Sequence, residues 1–232
     1  GEKMKNKILF GALLIFAINA GAFESKEADT LGFAAVGQEI KNMDGALVGE
    51  WFLYHTNRNK YRKVKNDEFE FNDAKIEAKK DFEEKVSNYL KAYEQSYSIN
   101  LATEFGEYDF ANENFPLKLL TSDSYVSFSG SDDPTCGYGS SRIMFDNANE
   151  TKNVLPMKKD DAKLFLQAKK DKYSGYINRT LSAKVNFNIV KNELNKLPTN
   201  AESCVSLTTM GHIKSIEIID SKKGKIHTIS FE

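Results

Sequence analysis

Five acids on two stretches of non-helical sequence are the residues of this chain best suited to chemistry. In "TEFGEYDF" Glu104, Glu107 and Asp109 fall close together, and in "SFSGSDDPTCGYGSSRI" Asp132 and Asp133 are adjacent. Two carboxyl groups held about 5 to 9 Å apart can hydrolyse a glycosidic bond, one as acid and the other as base or nucleophile. Glu104, Asp109, Asp132 and Asp133 are therefore the catalytic candidates. Against them, the first set lies at an expected hairpin bend, where acids ordinarily serve solubility, and Tyr108 and Phe110 beside it read as core anchors. Asp132 and Asp133 do not make an EF-type calcium loop, which needs oxygen ligands at alternate positions and a closing glutamate.

The second stretch also carries Gly130, Gly137 and Gly139, whose amides could form an anion-binding nest. Phosphate loops of the familiar kind run from a strand into a helix, whereas this segment joins two expected strands. It reads as a connection pinned by its cysteine. A long polar connection can still recognise a partner. "SGSD" at Ser129–Asp132 resembles the Ser-Gly loop that periplasmic lysozyme inhibitors insert into the enzyme's cleft, with Tyr138 and Arg142 following. The resemblance covers four residues and departs from that family's further glycine and its lysine-tyrosine pattern. It marks Ser129, Gly130, Tyr138 and Arg142 as binding candidates and implies an inhibitor-like role for the loop.

Other chemistries find little support. The three histidines, His55, His212 and His227, and the two cysteines show no H-x-x-x-H or C-x-x-C spacing, so no metal site is expected, and no cofactor loop is found. The stretch "NRNKYRKVK" interleaves Tyr61 with Arg58, Lys60, Arg62, Lys63 and Lys65, a pattern that can bind polyanions. Asp67, Glu68 and Glu70 neutralise it locally, and it reads as a solvated connector between helices.

The start of the chain sets the compartment. After Met4 come Lys5 and Lys7, an apolar run from Ile8 to Ile18, and Ala20-Gly21-Ala22. These are the three parts of a secretory signal peptide cut between Ala22 and Phe23. The run is short of the roughly 20 residues that span a bilayer. Gly1-Glu2-Lys3 reads as a cloning remnant or upstream extension, and no cysteine near the cut offers a lipid attachment point. Cleavage removes three lysines and one acid and takes the formal net charge from −1 to −3. So balanced a chain has no bulk attraction for nucleic acid or anionic membrane. The expected location is periplasmic or secreted, with no transmembrane anchor after cleavage. The Lys, Asn, Ile and Phe bias reads as bacterial. In an oxidising compartment the only two cysteines, Cys136 and Cys204, are expected to form a disulfide. Closing a loop of that length constrains the unfolded chain by about 4 kcal/mol in the chain-entropy picture.

Hydrophobic spacing supplies the scaffold. Val36, Ile40, Met43, Leu47 and Trp51 step at helical intervals, with a break and restart expected near Asp44. Phe71, Ala74, Ala78, Phe82, Val86, Tyr89 and Tyr93 mark a stronger helix, capped by Asn66 or Asn72. From Tyr97 the period becomes two, and "YSINLATEF", "FPLKLL", "SYVSFS", "SRIMF" and "TLSAKVNFNIV" read as strands, with a short helix in "VLPMKKDDAKLFLQAKKDK". "CVSLTT" reads as a strand followed by a hairpin turning at Lys223-Gly224, in a register that sets Ile218 against Ile229, Ile216 against Phe231 and Asp220 against His227.

The resulting expectation is an α+β fold: a mainly antiparallel sheet of about seven or eight strands with an N-terminal helical arm and one intervening helix. Residues 1–22 would be leader and 23–232 one exported domain, helical over 30–95 and sheet over 96–232. The function expected is a non-catalytic binding or accessory module of the bacterial envelope, its partner an envelope protein or a cell-wall polymer and not nucleic acid. The competing expectation is a small periplasmic hydrolase using the loop carboxylates.

Overall fold

The computed structural model describes residues 25–128, 134–135 and 141–231. The expected leader and its cut lie outside them, as do Ser129, Gly130, Asp132, Asp133, Cys136 and Tyr138. Among the described residues no helix is long and apolar enough to cross a membrane. The architecture is α+β, with five α-helices among the described residues and a mainly antiparallel main sheet.

The described residues begin with α1 (Ser25–Gln38), α2 (Gly45–Thr56), α3 (Arg58–Val64) and α4 (Glu68–Leu90). Asp44 does mark a restart: its side chain accepts from the amides of Ala46 and Leu47 and caps α2. The basic stretch from Arg58 is a short helix rather than a loose connector, and Asn57 caps it. Asp67 caps α4 by accepting from the amides of Phe69 and Glu70, in place of the expected Asn66 or Asn72. An aspartate there also suits the positive end of the helix dipole better than a neutral amide. The apolar face of α4 turns inward as expected, with Ala74, Ala78 and Phe82 buried.

Helix α1 is not the one-sided helix its spacing predicts. Every residue from Leu31 to Gly37 is buried, because α1 packs against α4 on one side and the sheet on the other. Helices covered on both sides need small residues where neighbours approach, and "LGFAAVG" provides them. Phe33 sits among Trp51, Phe52, Phe82 and Tyr89, with ring centroids 5.1 to 6.3 Å away. Phe52 and Phe82 stack at 4.7 Å. Burying each of these phenylalanines contributes about 2 to 3 kcal/mol, so the helical layer adds substantially to the one core it shares with the sheet.

The strands are β1 (Ser96–Glu104), β2 (Asn114–Pro116), β3 (Tyr125–Phe128), β4 (Ser141–Phe145), β5 (Val154–Pro156), β6 (Thr180–Leu194), β7 (Leu207–Asp220) and β8 (Gly224–Ser230), with α5 (Lys159–Lys169) before β6. Among the described residues the main sheet has six strands in the order β1-β6-β7-β4-β3, with β8 also on β7, while β2 and β5 form a separate ribbon. This corrects the single sheet of seven or eight strands. The strand and hairpin expected after Cys204 merge, since β7 runs unbroken to Asp220. Its outer edge is shared between β4, which pairs parallel to it over Thr208 to Gly211, and β8, which pairs antiparallel over Ser215 to Asp220.

The β7–β8 register is displaced by two residues from the expected one. Ile216 faces Ile229 and Ile218 faces His227, with a bulge after Ile218. Turn chemistry sets it. Asp220 accepts from the amides of Lys222 and Lys223, and Gly224 takes φ +74°, a conformation that favours glycine. A shift of two keeps the same faces inward, so periodicity alone cannot detect it. Asp220 pairs with Lys169 of α5 and not with His227. Burial pushes the half-buried His227 imidazole below its ordinary value. On the ribbon side, Phe105, Phe115 and Phe165 cluster with centroids 5.1 to 5.8 Å apart, fixing α5 over β2 and β5.

Candidate binding groove

Glu104 and Asp109 are engaged in holding the fold. Glu104 forms a 2.7 Å ion pair with Lys118 at the end of β1. Asp109 accepts from the Asn112 side chain and from the amides of Asn112 and Ala111, closing the bend before β2. Those hydrogen bonds, the side-chain one first, hold its carboxyl below the usual carboxylate range, the opposite of what a general acid needs. Tyr108 donates to the Met157 carbonyl as an anchor, whereas Phe110 is 73% exposed and meets the Tyr108 ring edge-on at 5.0 Å. Arg142 lies on β4, its Nε donating to the Thr208 hydroxyl at 3.3 Å. Glu104, Asp109 and Arg142 thus serve three separate local structures.

The loop between β3 and β4 is tethered at its middle. Pro134 and Thr135 are buried, and the Pro134 carbonyl accepts from the Val205 amide at 2.9 Å. Pro134 also rests on α1 at Gly32, where an added Cβ would come within 2.7 Å of the ring. The Ser203 carbonyl in turn accepts from Trp51 Nε1 at 2.9 Å and lies 3.1 Å from His55 Nε2. Helices α1 and α2, the Ser203–Val205 segment and Pro134 therefore form one connected support. Cys204 sits in that segment, solvent-exposed.

A concavity lies elsewhere, a groove of about 600 Å³ between the end of α1 and the last residues of β6. Ala35, Gln38 and Glu39 form one wall, Tyr93 closes one end, and residues 189–195 form the other wall. Its shape comes from a bulge. The inward alternation of β6 slips after Ile189, leaving Val190 55% exposed and bringing Asn192 inward. Asn192 is the hub: its amide donates to the Leu31 carbonyl at 3.2 Å and the Tyr93 hydroxyl at 3.1 Å, and its oxygen accepts from Thr209 at 2.6 Å. A buried amide satisfied on both ends locks α1, the turn before β1, and β7 onto β6. Burial raises the Tyr93 phenol, which stays a neutral acceptor for Asn192.

Chemically the groove offers main chain and mixed polar side chains. Glu39 accepts from Asn42 at 2.6 Å, and Glu193 pairs with Lys191 at 2.5 Å. Among the described residues no group of three or more His, Cys, Asp or Glu could hold a metal ion. None of the candidates named from sequence lines this groove. The signal for it was present, however: the strand's apolar alternation breaks at Val190-Lys191, and a polar Asn192 occupies the inward position that follows.

The family described as a domain of unknown function (DUF4852) matches residues 48–168, and the chain belongs to that family. The match runs from α2 to the end of α5 and stops before β6, so Tyr93 is the one groove residue inside it. No curated protein and no solved structure matches the chain.

Proposed function

We propose that this protein is an exported, non-catalytic binding or accessory module of the bacterial cell envelope, stapled by a Cys136–Cys204 disulfide, and that it binds through the groove beside β6. The observation that carries this reading is the groove itself: a concave wall of strand main chain, held open by the Asn192 hub, with polar side chains for orientation. Sites of this make-up recognise extended chains. The engagement of Glu104 and Asp109 in an ion pair and a turn weighs against the hydrolase reading. The disulfide is supported by the Val205–Pro134 hydrogen bond, which brings the residue after Cys204 beside the residue two before Cys136.

Export follows from the leader pattern ahead of Phe23, and the mature protein would reside in the periplasm or outside the cell. Mass spectrometry of the protein recovered from the envelope is expected to give a chain starting at Phe23 that takes up alkylating reagent at two thiols only after reduction. Cell-wall zymography of the same material is expected to show no clearing. A clearing zone lost on Glu104→Gln or Asp109→Asn would overturn the binding reading in favour of hydrolysis. Two thiols alkylated without reduction would remove the staple.

A further inference from the structure

The wall of the groove formed by β6 includes a strand edge that no described strand covers, flanked by α1 and by the turn that carries Tyr93. Strand β1 starts at Ser96, opposite Asn188, and covers β6 only from there back to Thr180. Beyond Asn188 the other edge of β6 continues to pair with β7 as far as Leu194 against Leu207. On the β1 side, no strand among the described residues pairs with residues 189–194. Such an edge presents main-chain donors and acceptors ready for another strand.

The sequence of this edge is complementary to itself. "VKNEL" runs apolar, positive, amide, negative, apolar from Val190 to Leu194. In an antiparallel pair centred on Asn192, Val190 meets Leu194 of the partner subunit, and Lys191 meets Glu193 of the partner subunit. The faces agree as well: Lys191 and Glu193 are exposed together, whereas Asn192 turns inward. Residues directly opposite in a sheet share a face, and opposite charges there attract while like charges repel. An edge lysine ordinarily deters pairing, but here Glu193 lies two residues on and 2.5 Å from Lys191. The bulge at Val190 sits at the inner end of the edge and leaves Lys191 to Leu194 in regular register with β7.

We propose that the occupant of this edge is a second copy of the chain, joined by antiparallel pairing of the two β6 segments about Asn192 into one continuous sheet. This deepens the binding reading of the same groove and rests on it. A strand pair of this length buries less than the roughly 1,000 Å² of a stable interface, so the dimer is weak and concentration-dependent.

Sedimentation velocity over a series of protein concentrations tests the proposal with the full mature chain. The wild type is expected to pass from monomer to dimer. Lys191→Glu and Glu193→Lys each set like charges opposite one another at both crossings and should weaken association about tenfold. The double exchange K191E/E193K should restore it. An equal mixture of the two single variants should form a heterodimer tighter than either homodimer, because their edges again complement each other. Thermal melts of the single variants check folding, and the mixture needs no variant to be compared with wild type. A wild type that remains monomeric at every concentration, or a dimer indifferent to all three changes, would overturn the pairing. A monomer that still captures a different envelope protein through Val190 would overturn the second copy as occupant and leave the binding function standing.

Discussion

Replacing Lys169 with alanine is expected to cost about 3 to 5 kcal/mol of folding stability, because it strands a buried carboxylate. Lys169 Nζ lies 2.5 Å from Asp220, the two side chains being 9% and 3% exposed. Nζ also donates to the Thr180 carbonyl at 3.0 Å. Asp220 additionally accepts from the amides of Lys222 and Lys223, so the pair ties α5 to the turn between β7 and β8. Burial pushes the Asp220 carboxyl up, but Lys169 and the two amides together outweigh it and hold the carboxyl below its ordinary value. A depressed carboxyl contributes stability above its unfolded value, and that contribution is lost as pH falls through the folded one. The wild type should therefore lose this increment only below about pH 4, the region where an aspartate in an unfolded chain titrates. In Lys169→Ala the carboxyl has lost its closest cation, so acid unfolding should begin at higher pH. Urea unfolding across a pH series measures both effects. A loss under about 1 kcal/mol with an unchanged acid limb would show that the pair contributes little beyond a surface bridge.

The second large effect is expected at Gly49. In an exposed helix, glycine to alanine gains about 1 kcal/mol from backbone entropy alone. At Gly49 the sign reverses. An added Cβ would overlap the Lys75 carbonyl oxygen of α4 and stand 3.0 Å from its carbon. A backbone group cannot swing aside as a side-chain tip can, so α2 and α4 must part and loosen the Phe52–Phe82 stack between them. Gly49→Ala should lose about 3 kcal/mol, near the upper end for overpacking. Gly45→Ala is the control, since its nearest neighbour at 3.0 Å is the flexible Cε of Lys79. It should be neutral or slightly stabilising. Thermal melts that rank Gly49→Ala at or above wild type would mean that the helices can separate without cost.

Strong periodicity made part of this fold legible. Helix α4 and strand β1 each bury one face against a continuous core, as does β6 as far as Ile189, so their apolar spacing repeats without interruption over those stretches. The break at Asp44 was legible because a capping aspartate and two glycines act locally. The parallel contact of β4 with β7 was not, because it depends on which strands the crossover through α5 and β6 brings together. Burial of α1 all round from Leu31 to Gly37 was hidden for a related reason: small residues spaced for close approach on both sides leave no single apolar stripe. The β7–β8 register turned on the Asp220 turn and a bulge, which leave the inward faces unchanged.

The candidate sites divide on the same line. Acids and glycines cluster in sequence at Glu104, Asp109 and the loop from Ser129, yet Glu104 serves an ion pair and Asp109 closes a turn. The groove gathers Ala35, Tyr93 and Asn192 from distant parts of the chain, and only the slip after Ile189 marks it locally.

Photo-crosslinking at Val190 in living cells tests the binding account most directly. A photoreactive phenylalanine analogue replaces Val190, which is exposed at the rim of the groove, and the same analogue at exposed Lys152 serves as the reference. The account predicts a discrete adduct from position 190 that is absent from position 152. Its mass identifies the occupant, twice the chain for a second copy and any other sum for a different envelope component. Equal background labelling at both positions, with no discrete adduct, would contradict the claim that this protein works by binding through the groove.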